Sequence, residues 1–266
     1  MIEGLQETAK RAILEAGALI RQEIGTISSS RVRHKAPFDY VTDVDHRCED
    51  LILKIIHESF PSHGIIAEES PGHDLQDGMT WVVDPLDGTV NFIHGFPFVS
   101  VSIAVCENRK PFLGLVLDPL RDELFIARAG DGATLNGSPI HVAGPTALDE
   151  ALIATGFPHR TRSIIDPYMS MFRAVFPEVS GIRRGGSAAL DLAYVAAGRL
   201  DGFWEAGLKA WDIAAGSLLI TEAGGSVTDF WGGDEYLSSG HVVAGTDSVY
   251  SYLLEQVGIH LADALR

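Results

Sequence analysis

Two helices are predicted at the start of the chain from the spacing of its hydrophobic residues. In the first, hydrophobic residues recur every three or four positions, as one face of a helix requires. They are Leu5, Ala9, Ala12, Ile13, Ala16, Leu19, Ile20 and Ile24. A second hydrophobic face covers about 48–60 and stops at Pro61, which cannot continue a helix. The stretch "GIIAEES" (64–70) then predicts a short buried strand.

The pattern changes twice further along the chain. From about 80 to 142, short β-branched and aromatic runs separated by turn residues predict an antiparallel meander. After Pro145, strands alternate with helices at about 166–176, 187–198 and 212–223, and a last helix follows "HVVAG" (241–245). This order predicts a mixed α/β fold.

The length and the absence of a linker favour one continuously packed unit. The chain has 266 residues, which suits one large domain or two closely packed halves. No repeat, low-complexity stretch or linker separates the α+β half (about 1–145) from the α/β half (about 146–266). We therefore expect a single domain built from these two halves.

Charge and composition exclude several classes of function. The formal net charge of −16 disfavours nucleic acid and anionic membranes as partners, because both attract basic surfaces. No apolar run reaches the roughly 18 residues of a membrane span, and the charged N-terminus is unlike a signal peptide, so we expect a cytoplasmic protein. Cys48 and Cys106 have no CxxC spacing and are expected to be reduced. Basic islands at 31–37 and 181–186 are either solvated surface or face an anionic small molecule.

Carboxylates at several predicted strand and helix ends indicate a metal site. Grouped carboxylates are expensive to bury unless a cation neutralises them. The candidates are Asp45, Glu68, Glu69, Asp84, Asp87 and Asp212. An all-oxygen set without paired His or Cys favours Mg2+, Mn2+ or Ca2+ over Zn2+, and Mg2+ is the default among the three. Two such ions about 3.5–4 Å apart are suited to phosphate ester hydrolysis.

The stretch "DPLDGT" (84–89) holds two of these acids. Pro85 turns the chain after Asp84, which brings Asp87 to the same side and leaves the Leu86 carbonyl as a further ligand. Gly88 and Thr89 then begin a helical turn, whose free N–H groups favour a phosphate. A plain Asp-Gly turn between strands is the competing interpretation. The decoy "LVLDPLRDEL" (115–124) shares Asp-Pro-Leu but has Arg121 in place of the second acid, and it predicts an ordinary hairpin.

Two acids in the C-terminal half leave their roles open. Asp212 lies near the start of an apolar helix that ends at Gly224, so its carboxylate either caps that helix or binds a metal. Glu205 follows the aromatic pair 203–204 and is either a functional group or an exposed charge at a strand end.

These motifs together resemble the inositol monophosphatase family. The two signatures are "WVVDPLDGTVNF" (81–92) and "WDIAAGSLLITEAGG" (211–225), with "KAPFDYVTDVD" (35–45) and "GIIAEES" upstream in the family's order. The stretch "RRGGSAALDLAYVAAGRLDGF" (183–203) is similar to the bacterial members. The resemblance covers nearly the whole chain. It implies a layered αβαβα sandwich, Mg2+ dependence, inhibition by Li+ and a homodimer.

The resemblance also implies roles for individual residues. Glu68, Asp84 and the Leu86 carbonyl resemble the ligands of a first metal ion; Asp84, Asp87 and Asp212 resemble those of a second, and Glu68 is similar to the ligand of a third, weaker ion. The catalytic residues implied are Glu68, Asp45 and Thr89. Glu68 resembles a metal ligand, and Asp45 and Thr89 resemble the pair that orients the nucleophilic water. The phosphate and substrate contacts implied are Asp87, Gly88, Thr89, Ala188, Glu205 and Asp212. Lys35 is similar to a family lysine on a mobile stretch, and Glu69, next to Glu68 on a strand, is expected to face away from the ions.

The implied activity is hydrolysis of a small phosphate monoester, inositol 1-phosphate, by in-line attack of a metal-activated water. Fructose 1,6-bisphosphate, a nucleotide 3′-phosphate and histidinol phosphate are alternative substrates of similar enzymes. A bisphosphate needs a basic pocket, for which Arg183 and Arg184 are the compact candidates; otherwise they belong to a dimer interface or the surface. A regulatory binding protein that keeps the site as a relic is the alternative from another class.

Overall fold

The computed structural model describes residues 2–26, 31–36, 39–70, 75–144, 147–158 and 162–265, with the side chains of residues 2, 3, 34–36 and 39 left out. The predicted role of the Lys35 side chain therefore lies outside the described part.

The helices are α1 (Ile2–Glu23), α2 (Asp43–Ser59), α3 (Thr89–Ile93), α4 (Ile165–Val175), α5 (Ala188–Ala196), α6 (Ala210–Glu222), α7 (Tyr236–Ser239) and α8 (Asp247–His260). The strands are β1 (Val32–Ala36), β2 (Asp39–Thr42), β3 (Gly64–Ala67), β4 (Met79–Asp87), β5 (Ser100–Glu107), β6 (Lys110–Asp118), β7 (Glu123–Arg128), β8 (Gly132–Leu135), β9 (Ser138–Ile140), β10 (Leu152–Thr155), β11 (Gly181–Arg183), β12 (Gly202–Ala206), β13 (Ser226–Thr228) and β14 (His241–Gly245).

The predicted meander forms most of a seven-stranded sheet. Its order is β3-β4-β5-β6-β7-β8-β9, in which each pair from β4 onward is antiparallel and β3 joins β4 in parallel. Side chains alternate along β4, as a strand with two covered faces requires. Trp81 and Val83 pack with α1 and α2, whereas Val82 packs with α5 and α6 on the opposite face. The sheet is therefore buried on both sides.

A five-stranded sheet lies beyond α5 and α6. Its order is β11-β10-β12-β14-β13. Strand β10 is parallel to β11 and β12, and β14 is antiparallel to β12 and β13. Phe203 of β12 packs toward α5 and α6, and the adjacent Trp204 packs toward α4 and α8. The layers are thus α1/α2, seven-stranded sheet, α5/α6, five-stranded sheet and α4/α8. This arrangement confirms the predicted α/β fold with αβαβα layers.

The central helices are apolar around their whole circumference because both sheets cover them. Every residue of α6 from Asp212 to Ile220 is buried, which is the pattern of an interior helix. Close packing here depends on Gly114 of β6, where an added Cβ would lie 2.9 Å from the Ala215 carbonyl oxygen. The helix that carries Asp212 is therefore held directly against the sheet that carries Asp84.

The structure corrects the predicted start of α2 and adds a hairpin. Helix α2 begins at Asp43 instead of about 48, because Thr42 and Asp45 form a capping box at its first turn. The preceding segment, interpreted from sequence only as a basic island and a mobile stretch, contains the antiparallel strands β1 and β2. None of the described helices has the length and apolar character needed to cross a membrane.

Candidate active site

A β-bulge brings the two acids of "DPLDGT" to one side of the sheet. Residues three apart on a regular strand point to opposite faces. Here Asp84 pairs with Ser102 and Asp87 pairs with Ser100, so four residues of β4 (84–87) lie opposite three residues of β5 (100–102). The extra residue reverses the alternation. The bulge therefore explains why these aspartates are spaced by three and still converge. The convergence is as the sequence predicted, but the predicted turn at Pro85 is wrong, because β4 continues through this proline to Asp87.

Asp212 completes a tight acidic cluster with these two aspartates. One carboxylate oxygen from each of Asp84, Asp87 and Asp212 lies within 4.8 Å of the other two, which is close enough to share an ion. Asp212 is the third residue of α6, and its Oδ2 accepts the Lys209 N–H at 2.7 Å. The two interpretations of Asp212 are thus compatible, since one carboxylate both caps the helix and joins the cluster.

The electrostatics of the cluster favour a bound cation. Asp84 is 1% exposed, and its Oδ1 accepts the Leu86 N–H at 3.0 Å. Burial raises the pKa of Asp84 well above its usual value, and repulsion from Glu68, Asp87 and Asp212 raises it further. A divalent cation removes that penalty and suits an all-oxygen set. The donor chemistry therefore fits Mg2+ or Mn2+, and the number of ions stays a prediction.

The N-terminus of α5 positions Asp87. Its Oδ2 accepts the Ser187 hydroxyl at 2.7 Å and the Ala189 N–H at 2.8 Å. Ser100 contacts the same serine at 2.9 Å between hydroxyl oxygens. A carboxylate at a helix N-terminus satisfies free N–H groups and the helix dipole. These two hydrogen bonds to Oδ2 therefore fix the Asp87 carboxylate at the start of α5.

Asp45 lies beneath Thr89 and holds its hydroxyl. The Thr89 hydroxyl donates to Asp45 Oδ1 at 2.9 Å, and the Leu86 carbonyl is slightly farther from it at 3.2 Å. The other oxygen, Oδ2, accepts the Thr42 N–H at 2.9 Å and its hydroxyl at 2.5 Å. Burial raises the pKa of Asp45, whereas these hydrogen bonds lower it. The predicted pair is therefore in direct contact, with both Asp45 oxygens engaged.

Gly88 allows the chain to enter α3 in a left-handed conformation. Its φ is 93°, and an added Cβ would lie 3.1 Å from the Phe98 carbonyl oxygen and 3.2 Å from that of Gly186. Both the conformation and the close approach require glycine. The predicted helical turn begins at Thr89, directly after it. The backbone N–H groups of Gly88 and Thr89 thus lie at the start of α3, beside the acids.

One cavity of about 200 Å³ collects the predicted residues. Asp45 and Glu69 are not among its lining residues, whereas nine others are: Glu68, Asp84, Leu86, Asp87, Gly88, Thr89, Ala188, Glu205 and Asp212. Glu205 is 6% exposed, so the interpretation as a surface charge is wrong. Its carboxylate lies over Gly156, where an added Cβ would be 2.0 Å from the Glu205 carboxyl carbon. Gly156 therefore makes room for Glu205.

Several residues of the site were not identified from sequence. Glu49 of α2 is 3% exposed and accepts the Glu69 N–H at 2.8 Å and the Ser70 hydroxyl at 2.5 Å, which fixes the turn that carries Glu68. This turn follows the end of β3 at Ala67, so strand alternation does not apply to Glu69. Tyr40, Gly156, Gly186 and Ser187 also line the cavity and were not singled out from the sequence. Of the two arginines considered for a basic pocket, Arg184 lines the cavity and Arg183 does not.

The fold and the cavity define a class: a layered α/β protein with a carboxylate cluster beside a glycine-rich helix start, as in metal-dependent phosphatases. The model of the inositol monophosphatase family matches residues 1–262. The chain belongs to this family, and it is a phosphatase of that superfamily.

Individual relatives agree with that assignment. The chain is 46% identical over 263 residues to a Pseudomonas aeruginosa protein named Nus factor SuhB, with 97% of each chain covered. It is 44% identical over 248 residues to the Mesorhizobium japonicum inositol-1-monophosphatase, with 93% of each covered. The solved extragenic suppressor protein suhB of Bartonella henselae superimposes with a TM-score of 0.90 at 41% identity, covering 95% of this chain and 98% of that one. Relatives of this fold therefore carry two different functional names.

Proposed function

We propose that this protein hydrolyses inositol 1-phosphate to inositol and inorganic phosphate in a Mg2+-dependent, Li+-sensitive reaction. The observation that supports this most strongly is the convergence of three kinds of group in one cavity: the acidic cluster, the Thr89–Asp45 pair and Glu205. An ion site, a water-orienting pair and a polar contact for an alcohol are what hydrolysis of a sugar-alcohol phosphate needs.

The metal ligands in this proposal are Glu68, Asp84, the Leu86 carbonyl, Asp87 and Asp212. When bound, the ions supply positive charge beside the phosphate oxygens and make a water more acidic. Asp87 and Asp212 are held in place by backbone N–H groups of α5 and α6, so the protein fixes the geometry before an ion binds. Such preorganisation lowers the energy needed to reach the transition state.

The Thr89–Asp45 pair orients the attacking water in this proposal. Because the Thr89 hydroxyl donates to Asp45 Oδ1, the lone pairs of Thr89 Oγ1 are turned toward the cavity and accept a hydrogen from water. The water's own lone pair then faces phosphorus, and its proton can pass through Thr89 to Asp45. No covalent enzyme intermediate is required, and the leaving alkoxide takes a proton from solvent water.

The other cavity walls bind the substrate's phosphate and alcohol. The N–H groups of Gly88 and Thr89 bind phosphate oxygens at the start of α3. Glu205 accepts a hydrogen from an inositol hydroxyl, and Ala188, at the first position of α5, leaves space for the ring. We include in the proposal the cytoplasmic location and the homodimer expected from sequence.

A phosphate-release panel tests this function. Inositol 1-phosphate, fructose 1,6-bisphosphate, 3′-phosphoadenosine 5′-phosphate and histidinol phosphate are each incubated with the protein, in Mg2+ and in EDTA. We expect the highest kcat/KM for inositol 1-phosphate and background release in EDTA. A higher kcat/KM for another compound would assign the substrate differently.

A second candidate function is a non-catalytic one, favoured by the name Nus factor that relatives at 45–46% identity carry. In that case the carboxylate cluster would bind an ion for structure alone. Absence of phosphate release from every compound of the panel, in a preparation that binds Mg2+, would favour this candidate over the phosphatase.

A further inference from the structure

We propose that Arg184 determines substrate specificity by donating hydrogen bonds to hydroxyl groups of the substrate's alcohol in the cavity that Glu205 also lines. This inference rests on the proposed phosphatase function and deepens it. The guanidinium supplies only donors and the carboxylate supplies only acceptors, whereas each hydroxyl of a polyol can do both. A donor and an acceptor that line one cavity therefore suit the neighbouring hydroxyls of a cyclic polyol phosphate.

Arg184 is directed into the cavity. It is the one cationic side chain among the cavity-lining residues in the described part of the chain. Its Nη1 lies 2.5 Å from the position that a Cβ on Gly186 would occupy, so the guanidinium packs over this glycine. Gly186 has a φ of 93° and lines the same cavity. The guanidinium therefore lies at the cavity while the side chain keeps contact with solvent.

Arg184 and Glu205 line the same cavity and act on the same two buried groups. Burial raises the pKa of Asp191 and of Tyr168, Glu205 raises both further, and Arg184 lowers them. Asp191 is 3% exposed, and its Oδ1 lies 2.7 Å from the position of a Cβ on Gly185. A carboxylate thus lies directly beneath the loop that carries Arg184.

The Glu205 carboxylate argues for hydroxyl groups rather than a second phosphate as the ligand of Arg184. A second phosphate would bring about two negative charges into the cavity that Glu205 lines, and like charges in a buried site repel strongly. Neutral hydroxyls carry no such penalty, and Glu205 gains a hydrogen-bond donor from them. Arg184 then contributes hydrogen bonds without having to neutralise an anion.

The adjacent Arg183 provides a matched control. It is also exposed, but it does not line the cavity, and its Nη1 donates to the Ile182 carbonyl at 3.3 Å. Arg183→Met and Arg184→Met therefore remove the same chemical group from neighbouring positions, one outside the cavity and one inside it. Both side chains are exposed, so neither variant opens a hole in the core.

The test compares kcat and KM for inositol 1-phosphate and for p-nitrophenyl phosphate, whose leaving group has no other hydroxyl. For Arg184→Met we expect the ratio of kcat/KM between the two compounds to fall at least about tenfold, mainly through KM for inositol 1-phosphate. Arg183→Met should keep the wild-type ratio. Arg184→Lys, which retains a charge but not the planar fork, should lie between them.

Three outcomes would overturn the inference. They are an unchanged ratio in Arg184→Met, an equal fall in Arg183→Met, or a larger loss for fructose 1,6-bisphosphate than for inositol 1-phosphate. Failure of the proposed function is distinguishable, because the wild-type protein itself would then release no phosphate from inositol 1-phosphate. If Arg184→Met is poorly folded by circular dichroism, Arg184→Lys decides by the same ratio.

Discussion

Replacing Asp84 by asparagine should stabilise the metal-free protein while removing its response to Mg2+. Asp84 is fully buried among carboxylates, and asparagine keeps an oxygen that can accept the Leu86 N–H at the present 3.0 Å. The substitution therefore removes the negative charge without removing the hydrogen bond. A residue that serves only the fold is not expected to show these two opposite effects.

The magnitude follows from the spacing of the cluster. Two unit charges 4.8 Å apart, the distance within which these oxygens lie, repel by about 3.5 kcal/mol at an effective dielectric constant of about 20. Asp84 can escape part of this repulsion by taking up a proton, at about 1.4 kcal/mol per unit of pKa change. We expect Asp84→Asn to raise the free energy of unfolding in EDTA at pH 7.5 by on the order of 2 kcal/mol.

The pH dependence has a defined sign. A carboxyl whose pKa is raised in the folded state binds its proton more tightly there than in the unfolded chain. Its contribution to wild-type stability is present at low pH and is lost as the pH rises from the unfolded value through the folded one. The advantage of Asp84→Asn should therefore grow with pH and level off above the folded pKa.

Asp118 supplies the matched control, because it ends β6 in the decoy Asp-Pro-Leu sequence. It is also fully buried and accepts the Leu120 N–H at 2.9 Å, but its other oxygen is paired with Arg121 at 2.7 Å. Asp118→Asn breaks this ion pair and should lower the free energy of unfolding by about 1–3 kcal/mol. Its response to Mg2+ should equal that of the wild type.

The assay is urea unfolding in EDTA and in saturating Mg2+. An ion at about 100 times its dissociation constant adds about 2.7 kcal/mol to the free energy of unfolding. We expect this gain in the wild type and in Asp118→Asn, and a much smaller one in Asp84→Asn. The reasoning is refuted if Asp84→Asn destabilises the metal-free protein as Asp118→Asn does, or gains as much from Mg2+ as the wild type.

Two further predictions concern single contacts. Gly156→Ala places a Cβ 2.0 Å from the Glu205 carboxyl carbon and should raise KM for inositol 1-phosphate about tenfold by displacing that side chain; an unchanged KM in steady-state kinetics would contradict a substrate contact at Glu205. Burial lowers the pKa of His241, whose Nδ1 accepts the Gly207 N–H at 3.2 Å, so wild-type stability should fall as the pH drops below about 6.5. In urea unfolding between pH 7.5 and 5.5, His241→Asn should flatten this slope by up to about 1.4 kcal/mol per pH unit, and an identical slope would show that His241 does not titrate.

The parts of the fold that depend on local patterns were predictable. Alternation in 80–142 predicted the antiparallel strands, and the apolar faces predicted the helices to within a few residues, except at the start of α2. That start was missed because its capping box has Asp45 at the third helical position, where glutamate or glutamine is the usual signal. The acid was interpreted only as a functional group, and the structure shows that it also begins a helix.

The contacts that position the site could not be predicted, because they join distant parts of the chain. Ser187 reaches Asp87 across 100 residues, and no local pattern links a serine before one helix to an aspartate at a strand end. In the sequence, Gly156 looks like any glycine that follows a strand. Only the fold shows that Glu205, on the neighbouring strand β12, lies over it. By contrast, the convergence of Asp84 and Asp87 was predicted, although through a turn at Pro85 and not through the β-bulge that the structure contains.

The most direct test of the proposed function is the rate of phosphate release from inositol 1-phosphate as Mg2+ is titrated, for the wild type and for Asp87→Asn. The wild-type rate should rise to saturation with Mg2+ and fall to background in EDTA. Asp87→Asn should remain folded by circular dichroism and release phosphate at least about a hundredfold more slowly at saturating Mg2+. Wild-type turnover that is independent of Mg2+, or near-normal turnover in Asp87→Asn, would contradict the proposal that the carboxylate cluster performs the reaction.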